Sequence, residues 1–135
     1  MKATELMIND WVMNGTNQRQ VEMIGRNIIH FNRGGQDLTA ALQYLTPITI
    51  DEDILAANGF DHFVDEEFPE VEAWRMDVDD IKIDIIPSFN RDRFTASIQR
   101  GPDKHVSVPV RYVHELQHAL RLMGLDTMAD NFKIK

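Results

Sequence analysis

Hydrophobic and polar residues alternate with a period of two between Trp74 and Val110. Because successive side chains of a strand point to opposite faces of a sheet, this pattern predicts four antiparallel strands that share one apolar face. The inward positions, strand by strand, are Trp74, Met76 and Val78, then Ile81, Ile83 and Ile85, then Phe94, Ala96 and Ile98, and finally Val106, Val108 and Val110. Asp79–Asp80 and Gly101–Pro102–Asp103 have the composition of turns. Such a sheet needs a cover on its apolar face.

The spacing becomes helical between Val110 and Gly124. Each residue turns an α-helix by about 100°, so side chains three and four positions apart share a face. The apolar stripe of this predicted helix consists of Tyr112, Val113, Leu116, Ala119, Leu120 and Met123. We expect the stripe to cover the sheet. Residues Leu125 to Lys135 are expected to add a short helical turn and a tail that docks through Phe132 and Ile134.

The first fifty residues predict short strands joined by tight turns. The three runs are Asp10–Met13, Arg19–Ile24 and Asn27–Phe31, separated by Asn14–Gly15, a strong hairpin signal, and by Gly25, and followed by Gly34–Gly35. Val21 and Met23 are expected on one face of the second strand. Trp11 is interpreted as a core residue, with a binding role as the alternative. This spacing is typical of a small barrel-like meander.

The middle of the chain gives weaker signals. Gln36–Tyr44 fits either a helix or an edge strand. Thr49 and Glu52 have the spacing of a capping box, which predicts a short helix that ends at Asn58–Gly59, after which Phe60 folds back. Asp61–Glu72 is interpreted as an exposed acidic loop; the alternative is a docking surface for a basic partner, which requires the loop to be ordered.

These elements predict an α+β protein. Its N-terminal β-meander is followed by a short helix and by a four-stranded antiparallel sheet that a C-terminal helix covers. With 135 residues, we expect a single compact domain over residues 1–135, with a possible N-terminal β lobe at 1–50 and a C-terminal sheet and helix at 73–135.

Composition restricts the function classes. A hydrophobic fraction of 43% excludes wholesale disorder, and the formal net charge of −8 argues against nucleic acid or an anionic membrane as partner. The absence of cysteine excludes disulfides and thiolate zinc sites and fits a reducing compartment. The opening residues lack the apolar run of a secretory signal, so we expect a soluble, cytoplasmic protein. Oligomeric state is not indicated.

One stretch suggests a specific chemistry. His114–Glu115–Leu116–Gln117–His118 matches the His-Glu-x-x-His pattern of zinc proteases, in which two histidines bind zinc and the glutamate is the general base. A catalytic zinc needs a third protein ligand, and no spacing favours His30, His62 or His105 for that role. The downstream carboxylates, Asp126 and Asp130, follow the expected helix end at Gly124.

Helical geometry argues against this zinc site. His114 and His118 lie almost opposite the apolar stripe, beside Gln117 and Arg121, and the arginine charge opposes a nearby cation. We therefore interpret the histidines as part of a solvent-exposed face. No catalytic, cofactor-binding or metal residue is assigned, and no cofactor is expected.

Three segments resemble a known family. They are Asn9–Asp10–Trp11–Val12 before Asn14–Gly15, the run from Pro47 to Phe60, and the run from Val108 to His118. In that order they are similar to a family of small uncharacterised proteins common in gut Bacteroidetes genomes and their phages. The resemblance implies a phage or mobile-element context and no catalytic mechanism. In that family the last helix often lacks the counterparts of Glu115 and His118.

Three functional hypotheses follow. The first is a non-enzymatic interaction or structural module of phage or mobile-element origin, with a protein partner. The second is a small zinc hydrolase that uses His114, Glu115 and His118. The third is an acidic decoy that mimics DNA, which predicts carboxylates at phosphate-like intervals over one surface.

Overall fold

Two antiparallel sheets of five strands each form the framework of the protein. The structure, a computed structural model, describes residues 1–26, 28–33 and 36–134. The N-terminal sheet has the order β4-β3-β2-β1-β5 and consists of β1 (Trp11–Asn14), β2 (Asn17–Ile24), β3 (Ile28–Arg33), β4 (Gln36–Ala41) and β5 (Leu45–Pro47). The C-terminal sheet has the order β10-β9-β8-β7-β6 and consists of β6 (Asp61–Val64), β7 (Glu72–Val78), β8 (Ile81–Pro87), β9 (Phe94–Arg100) and β10 (Lys104–Val110). The helices are α1 (Glu52–Ala57), α2 (Val113–Leu122) and α3 (Asp126–Asp130), with 3₁₀ turns at Ala3–Glu5 and Leu42–Tyr44. The predicted α+β class is confirmed.

The N-terminal sheet is an open meander and contains more strands than the sequence pattern predicts. The hairpin turn at Asn14–Gly15 is confirmed, with Asn14 opposite Asn17 and a positive φ of 62° at Gly15. The ambiguous segment Gln36–Tyr44 forms β4 and a 3₁₀ turn, and the chain then returns to pair β5 with β1. Because β4 and β5 lie at the two ends of the strand order, the sheet is not a barrel. The predicted start of a strand at Asn27 and turn at Gly34–Gly35 lie outside the described residues.

A β-bulge corrects the expected facing of β2. Val21 pairs with Phe31 and is buried, whereas Met23 pairs with His30 and is exposed. The register shifts between Val21 and Met23. Since a bulge inserts an extra residue into one strand, it breaks the alternation on which the prediction rested.

The C-terminal sheet confirms the four predicted strands and adds a fifth. Its inward face includes the fully buried Ile83, Ile85, Ala96 and Ile98. The prediction that Asp61–Glu72 is entirely a loop is wrong, because Asp61–Val64 forms edge strand β6 against β7. An edge strand tolerates charged residues since one side remains in solvent, so its composition resembled that of a loop.

The short helix α1 forms as predicted but with a different cap. The Asp51 side chain accepts a hydrogen bond from the Ile54 N–H at 2.8 Å. The predicted Thr49 cap is wrong, because Thr49 forms a β-bridge with Tyr112. The predicted helix end is confirmed, with a φ of 87° at Gly59 and a buried Phe60 whose N–H donates to the Leu55 carbonyl.

Helix α2 lies between the two sheets. It begins at Val113 and not at Val110, because Val110 still pairs with Phe94 in the sheet. The apolar stripe is confirmed, since Leu116 and Leu120 are fully buried in the core of the C-terminal sheet. A second core lies within the N-terminal sheet and contains Leu6, Val12, Val21, Ile29, Phe31 and Leu45.

The C-terminal tail docks as predicted. Phe132 and Ile134 are buried in the larger core. Trp11 is only half-buried, and its Nε1–H donates to the Phe132 carbonyl at 2.7 Å, which ties β1 to the tail. In the described part of the chain, no helix has the length and apolar character needed to cross a membrane.

Candidate functional site

The polar face of α2 is built around one buried carboxylate. Asp10, which directly precedes β1, is fully buried. Its Oδ2 accepts hydrogen bonds from His118 Nε2 at 2.6 Å and from the Met7 N–H at 2.7 Å. Its Oδ1 accepts from Arg121 Nη1 at 2.7 Å. Three donors thus offset the cost of burying this negative charge.

Arg121 connects the carboxylate to two further parts of the chain. Its Nη2 donates to the Ile8 carbonyl at 3.1 Å and lies 3.4 Å from Asp130 Oδ1 in α3. The guanidinium therefore joins the segment before β1, helix α2 and helix α3. Its planar group of donors suits this role, because several acceptors are met in fixed directions.

Gln117 completes the contact between the sheets. Its side chain is fully buried, and Nε2 donates to the carbonyls of Asn9 and Ala129, both at 2.9 Å. Its Oε1 accepts from the Trp11 N–H at 3.0 Å. Both ends of the amide are paired, as a buried polar group requires. We call Asp10, Gln117, His118 and Arg121 together the Asp10 clasp.

The prediction that the polar face of α2 is exposed to solvent is therefore wrong. His114 is only 5% exposed and Gln117 is 0% exposed, and the His118 and Arg121 side chains are 28% and 14% exposed. The reason is that α2 is covered on two sides, by the C-terminal sheet on its apolar stripe and by β1 and its preceding segment on its polar face. The clasp residues of the helix follow Asp10 by more than 100 positions, and no spacing in the sequence signals this pairing.

His114 lies beside the clasp and has an unpaired atom. Its Nδ1 is buried and has no hydrogen-bond partner among the described residues. Its ring stacks on Tyr112 with centroids 5.9 Å apart. Burial lowers the pKa of His114 below its ordinary 6.5, and His118 acts in the same direction, while Asp10, Glu115 and Glu5 oppose the shift. The ring is therefore neutral at pH 7.

Glu115 has a structural contact where a zinc protease needs a general base. Its Oε1 accepts from the backbone N–H groups of Arg111 and Tyr112, both at 3.0 Å. This contact caps the first turn of α2 and places negative charge at its N-terminus. Beside it lies an open depression of about 320 Å³, lined by Glu5, Pro47, Tyr112, His114, Glu115 and His118.

The candidate third zinc ligands do not converge on His114 and His118. His62 Nε2 is 2.9 Å from Glu72 Oε2, and His105 Nε2 is 2.9 Å from Ser97 Oγ, both in the C-terminal sheet. His30 lies in β3 of the other sheet. Across residues 1–26, 28–33 and 36–134, no three His, Asp or Glu side chains are grouped in a way that could hold a metal ion. Asp126 and Asp130 lie in α3, where Asp130 contacts Arg121.

Besides the Asp10 clasp, the protein has an uneven distribution of acidic and basic residues along its chain. Nine of the 22 Asp and Glu residues, and none of the 14 Lys and Arg residues, lie in residues 51–74. This acidic segment has a formal charge of −9, and the rest of the chain, with 13 acidic and 14 basic residues, has +1, which gives the net −8. The protein is therefore nearly neutral outside one short region.

The turn within the acidic segment is hydrogen-bonded. The Asp65 N–H donates to the Val71 carbonyl at 2.9 Å, and Asp65 Oδ1 accepts from the N–H groups of Glu67 and Phe68 at 2.9 Å. At its base, Glu72 contacts His62 and Arg91. The pKa of Glu72 is lowered, mainly by the hydrogen bond from His62; burial opposes this shift, and the Arg91 charge adds to it.

Comparison with known proteins adds no assignment. No family model matches the chain, and no match was found among the curated proteins or among the solved structures. The function must therefore be argued from the Asp10 clasp and the acidic segment themselves.

Proposed function

We propose that the protein is a non-enzymatic interaction or structural module, which acts through contacts with a partner protein. One observation carries the proposal: the residues of the zinc-protease pattern have structural roles. His118 binds Asp10, Glu115 caps α2, and Gln117 joins α2 to β1 and α3. A general base must be within reach of the proton it abstracts, and the Glu115 carboxylate is instead bonded to two backbone N–H groups at the start of α2, which supports the proposal.

The proposed phage or mobile-element origin has a separate basis. It rests on the three segments that resemble the Bacteroidetes and phage family, namely Asn9–Val12, Pro47–Phe60 and Val108–His118. We expect the gene to be flanked by integrase or phage structural genes. A fixed position among housekeeping genes would contradict this origin without affecting the proposed mode of action.

Metal content tests the proposal against the zinc hydrolase. Untagged protein purified without chelator should hold far less than one zinc per chain by elemental analysis. The Glu115→Gln variant should keep the same metal content and lose some stability, because a neutral amide makes a weaker cap. Stoichiometric zinc that is lost in both His114→Phe and His118→Gln would overturn the proposal.

A further inference from the structure

The open edge of the C-terminal sheet is the surface best suited to a partner. We propose that β6 and the acidic turn after it bind an extended, basic segment of a partner protein, which adds to the sheet as a further strand. This inference rests on the proposed function and names the partner chemistry.

The backbone of β6 presents unpaired groups to solvent. β6 is the last strand in the sheet order, and among the described strands it pairs with β7 alone. The Asp65 N–H points toward β7, since it donates to the Val71 carbonyl. Amide directions alternate along a strand, so the N–H and C=O groups of His62 and Val64 point away from β7. An added strand would bind these groups.

The other edge of this sheet is less accessible. β10 contains Pro109, which has no N–H to donate. The chain that follows β10 is paired, because the Ile50 N–H donates to the Arg111 carbonyl and the Val113 N–H donates to the Ile48 carbonyl. β6 contains no proline. The sheet thus favours strand addition at β6.

The charge around β6 selects a basic segment. Arg91 is the one Lys or Arg that forms ion pairs with the acidic segment in the described part of the chain, and it contacts Glu52 and Glu72. Exposed carboxylates without such a pair include Asp61, Glu66, Glu67 and Glu70. A second copy of this chain would bring the six carboxylates of its residues 61–72 to the same edge, so like-charge repulsion disfavours self-pairing.

Apolar side chains between the carboxylates define the rest of the partner. Val64, Phe68 and Val71 are 44%, 55% and 50% exposed. A strand with alternating basic and apolar residues would place apolar side chains on this surface and cationic groups near the carboxylates. We therefore infer that the partner segment alternates basic and apolar residues.

Peptide binding tests the inference. The probe is a fluorescent blocked peptide in which Lys and Val alternate, and its anisotropy is followed against wild-type protein at fixed ionic strength. Saturable binding is expected, with NMR shifts at the His62 and Val64 amides. A peptide that is N-methylated along one edge keeps its charge and cannot form the strand. We therefore expect its affinity to be lower by about tenfold or more. Equal binding of both peptides, or no binding of either, would overturn the inference.

Matched protein variants separate backbone pairing from charge. Val64→Pro removes an outward N–H and should weaken binding more than Val64→Ile, which keeps both that N–H and an apolar side chain. The triple variant Glu66→Gln/Glu67→Gln/Glu70→Gln should bind at least about tenfold more weakly, while Asp77→Asn/Asp80→Asn/Asp103→Asn, with the same change in charge, should change affinity by less than about twofold. Equal effects of the two triple variants would contradict a local site.

Three further outcomes keep this inference separate from the proposed function. A wild-type dimer in sedimentation that Val64→Pro abolishes would show a second copy at the edge and overturn the basic-partner inference alone. Cross-links from the Lys–Val peptide to a different surface would also overturn it alone. Zinc bound at His114 and His118 would overturn the proposed function, and peptide binding would not depend on that result.

Discussion

Asp10 is the residue on which the contact between the two sheets depends. Its carboxylate is buried with a cationic side chain, an imidazole and a backbone N–H around it. Burial of a charge is unfavourable unless it is paired, so removal of one partner leaves the others desolvated without compensation. The side chain is thus more important for stability than its single charge suggests.

We expect Asp10→Ala to lower the free energy of unfolding by about 3–5 kcal/mol, because it leaves Arg121 and His118 without their shared acceptor. Chemical denaturation monitored by circular dichroism measures this change. The control is Asp80→Ala, since Asp80 and Arg100 form an exposed ion pair at 3.8 Å. Its cost should stay below about 1 kcal/mol. Equal costs for the two variants would mean that the clasp adds nothing beyond a surface pair.

His114 gives the protein a pH-dependent stability. Its folded pKa lies below the 6.5 of an ordinary histidine, mainly because of burial. Between these two pKa values the unfolded chain binds more protons than the folded one, so stability increases with pH. We therefore expect this contribution to be complete above pH 6.5 and to be lost as the pH falls below that value.

Unfolding free energies measured between pH 7.5 and pH 5 test this expectation. His114→Phe keeps an aromatic ring against Tyr112 and removes the titrating group, so its stability should decline less over the same range. An unchanged pH dependence in His114→Phe would assign the effect to other groups.

Local spacing in the sequence predicts the environment of some of these side chains and not of others. The burial of Leu116 and Leu120 follows from spacings of three and four, which are fixed by the geometry of one helix. The environment of His118 depends on Asp10, which lies 108 residues away, and local periodicity contains no information about that contact. The solvent-exposed face predicted for the zinc-protease pattern is wrong for this reason, since His114 and Gln117 are buried.

Among the elements, α2 has two buried faces of different chemistry. Its stripe packs on the C-terminal sheet, and its polar face binds the segment before β1. A helix with an apolar stripe and a polar face normally lies at the surface. Here the polar face forms hydrogen bonds with protein groups in place of water. The amphipathic pattern therefore predicted that α2 covers the C-terminal sheet, but it did not predict that the polar face of α2 contacts the N-terminal sheet.

Truncation on the apolar stripe tests how α2 is oriented. Leu116→Ala and Leu120→Ala should each cost about 2–5 kcal/mol, because both side chains are fully buried. Leu122 is 68% exposed on the same helix and provides a matched control. Leu122→Ala should change stability by less than about 0.5 kcal/mol. Similar losses at all three positions would contradict this orientation.

The cap of α1 allows a direct comparison of two neighbouring residues. Asp51→Ala should cost about 0.5–2 kcal/mol, because it removes the acceptor of the Ile54 N–H. The side chain of the exposed Thr49 has no such contact, so Thr49→Ala should cost clearly less. Thermal unfolding of the two variants measures both losses of stability. A larger loss of stability for Thr49→Ala than for Asp51→Ala would support the predicted capping box.

β6 was missed by sequence analysis for a physical reason. Only four residues long, it has one side in solvent and includes a charged residue, so hydrophobic alternation is weak there. Strands β7 to β10 were predicted correctly because their inward faces are covered. Hydrophobic periodicity therefore predicts a strand more reliably when one face of that strand is more completely buried.

The Asp10 clasp predicts that the two sheets unfold together. The protein has two tryptophans, Trp11 in β1 and Trp74 in β7, which report one sheet each. In Trp11→Phe and in Trp74→Phe, fluorescence and circular dichroism should give coincident transitions within each variant. This experiment tests the predicted single domain. Separate transitions would indicate an independent N-terminal lobe.

The Asp10 clasp also affects the order in which the chain can fold. His118 and Arg121 follow Asp10 by 108 and 111 residues, so a ribosome has made the whole C-terminal sheet before the two side chains that bind this carboxylate exist. Until then the N-terminal sheet is without the side chains that bind Asp10. Closure of so long a loop is slow, and domains dominated by such distant contacts fold slowly. We therefore expect the two sheets to join late during synthesis. Until they join, the nascent N-terminal sheet is the part of the chain most prone to aggregation.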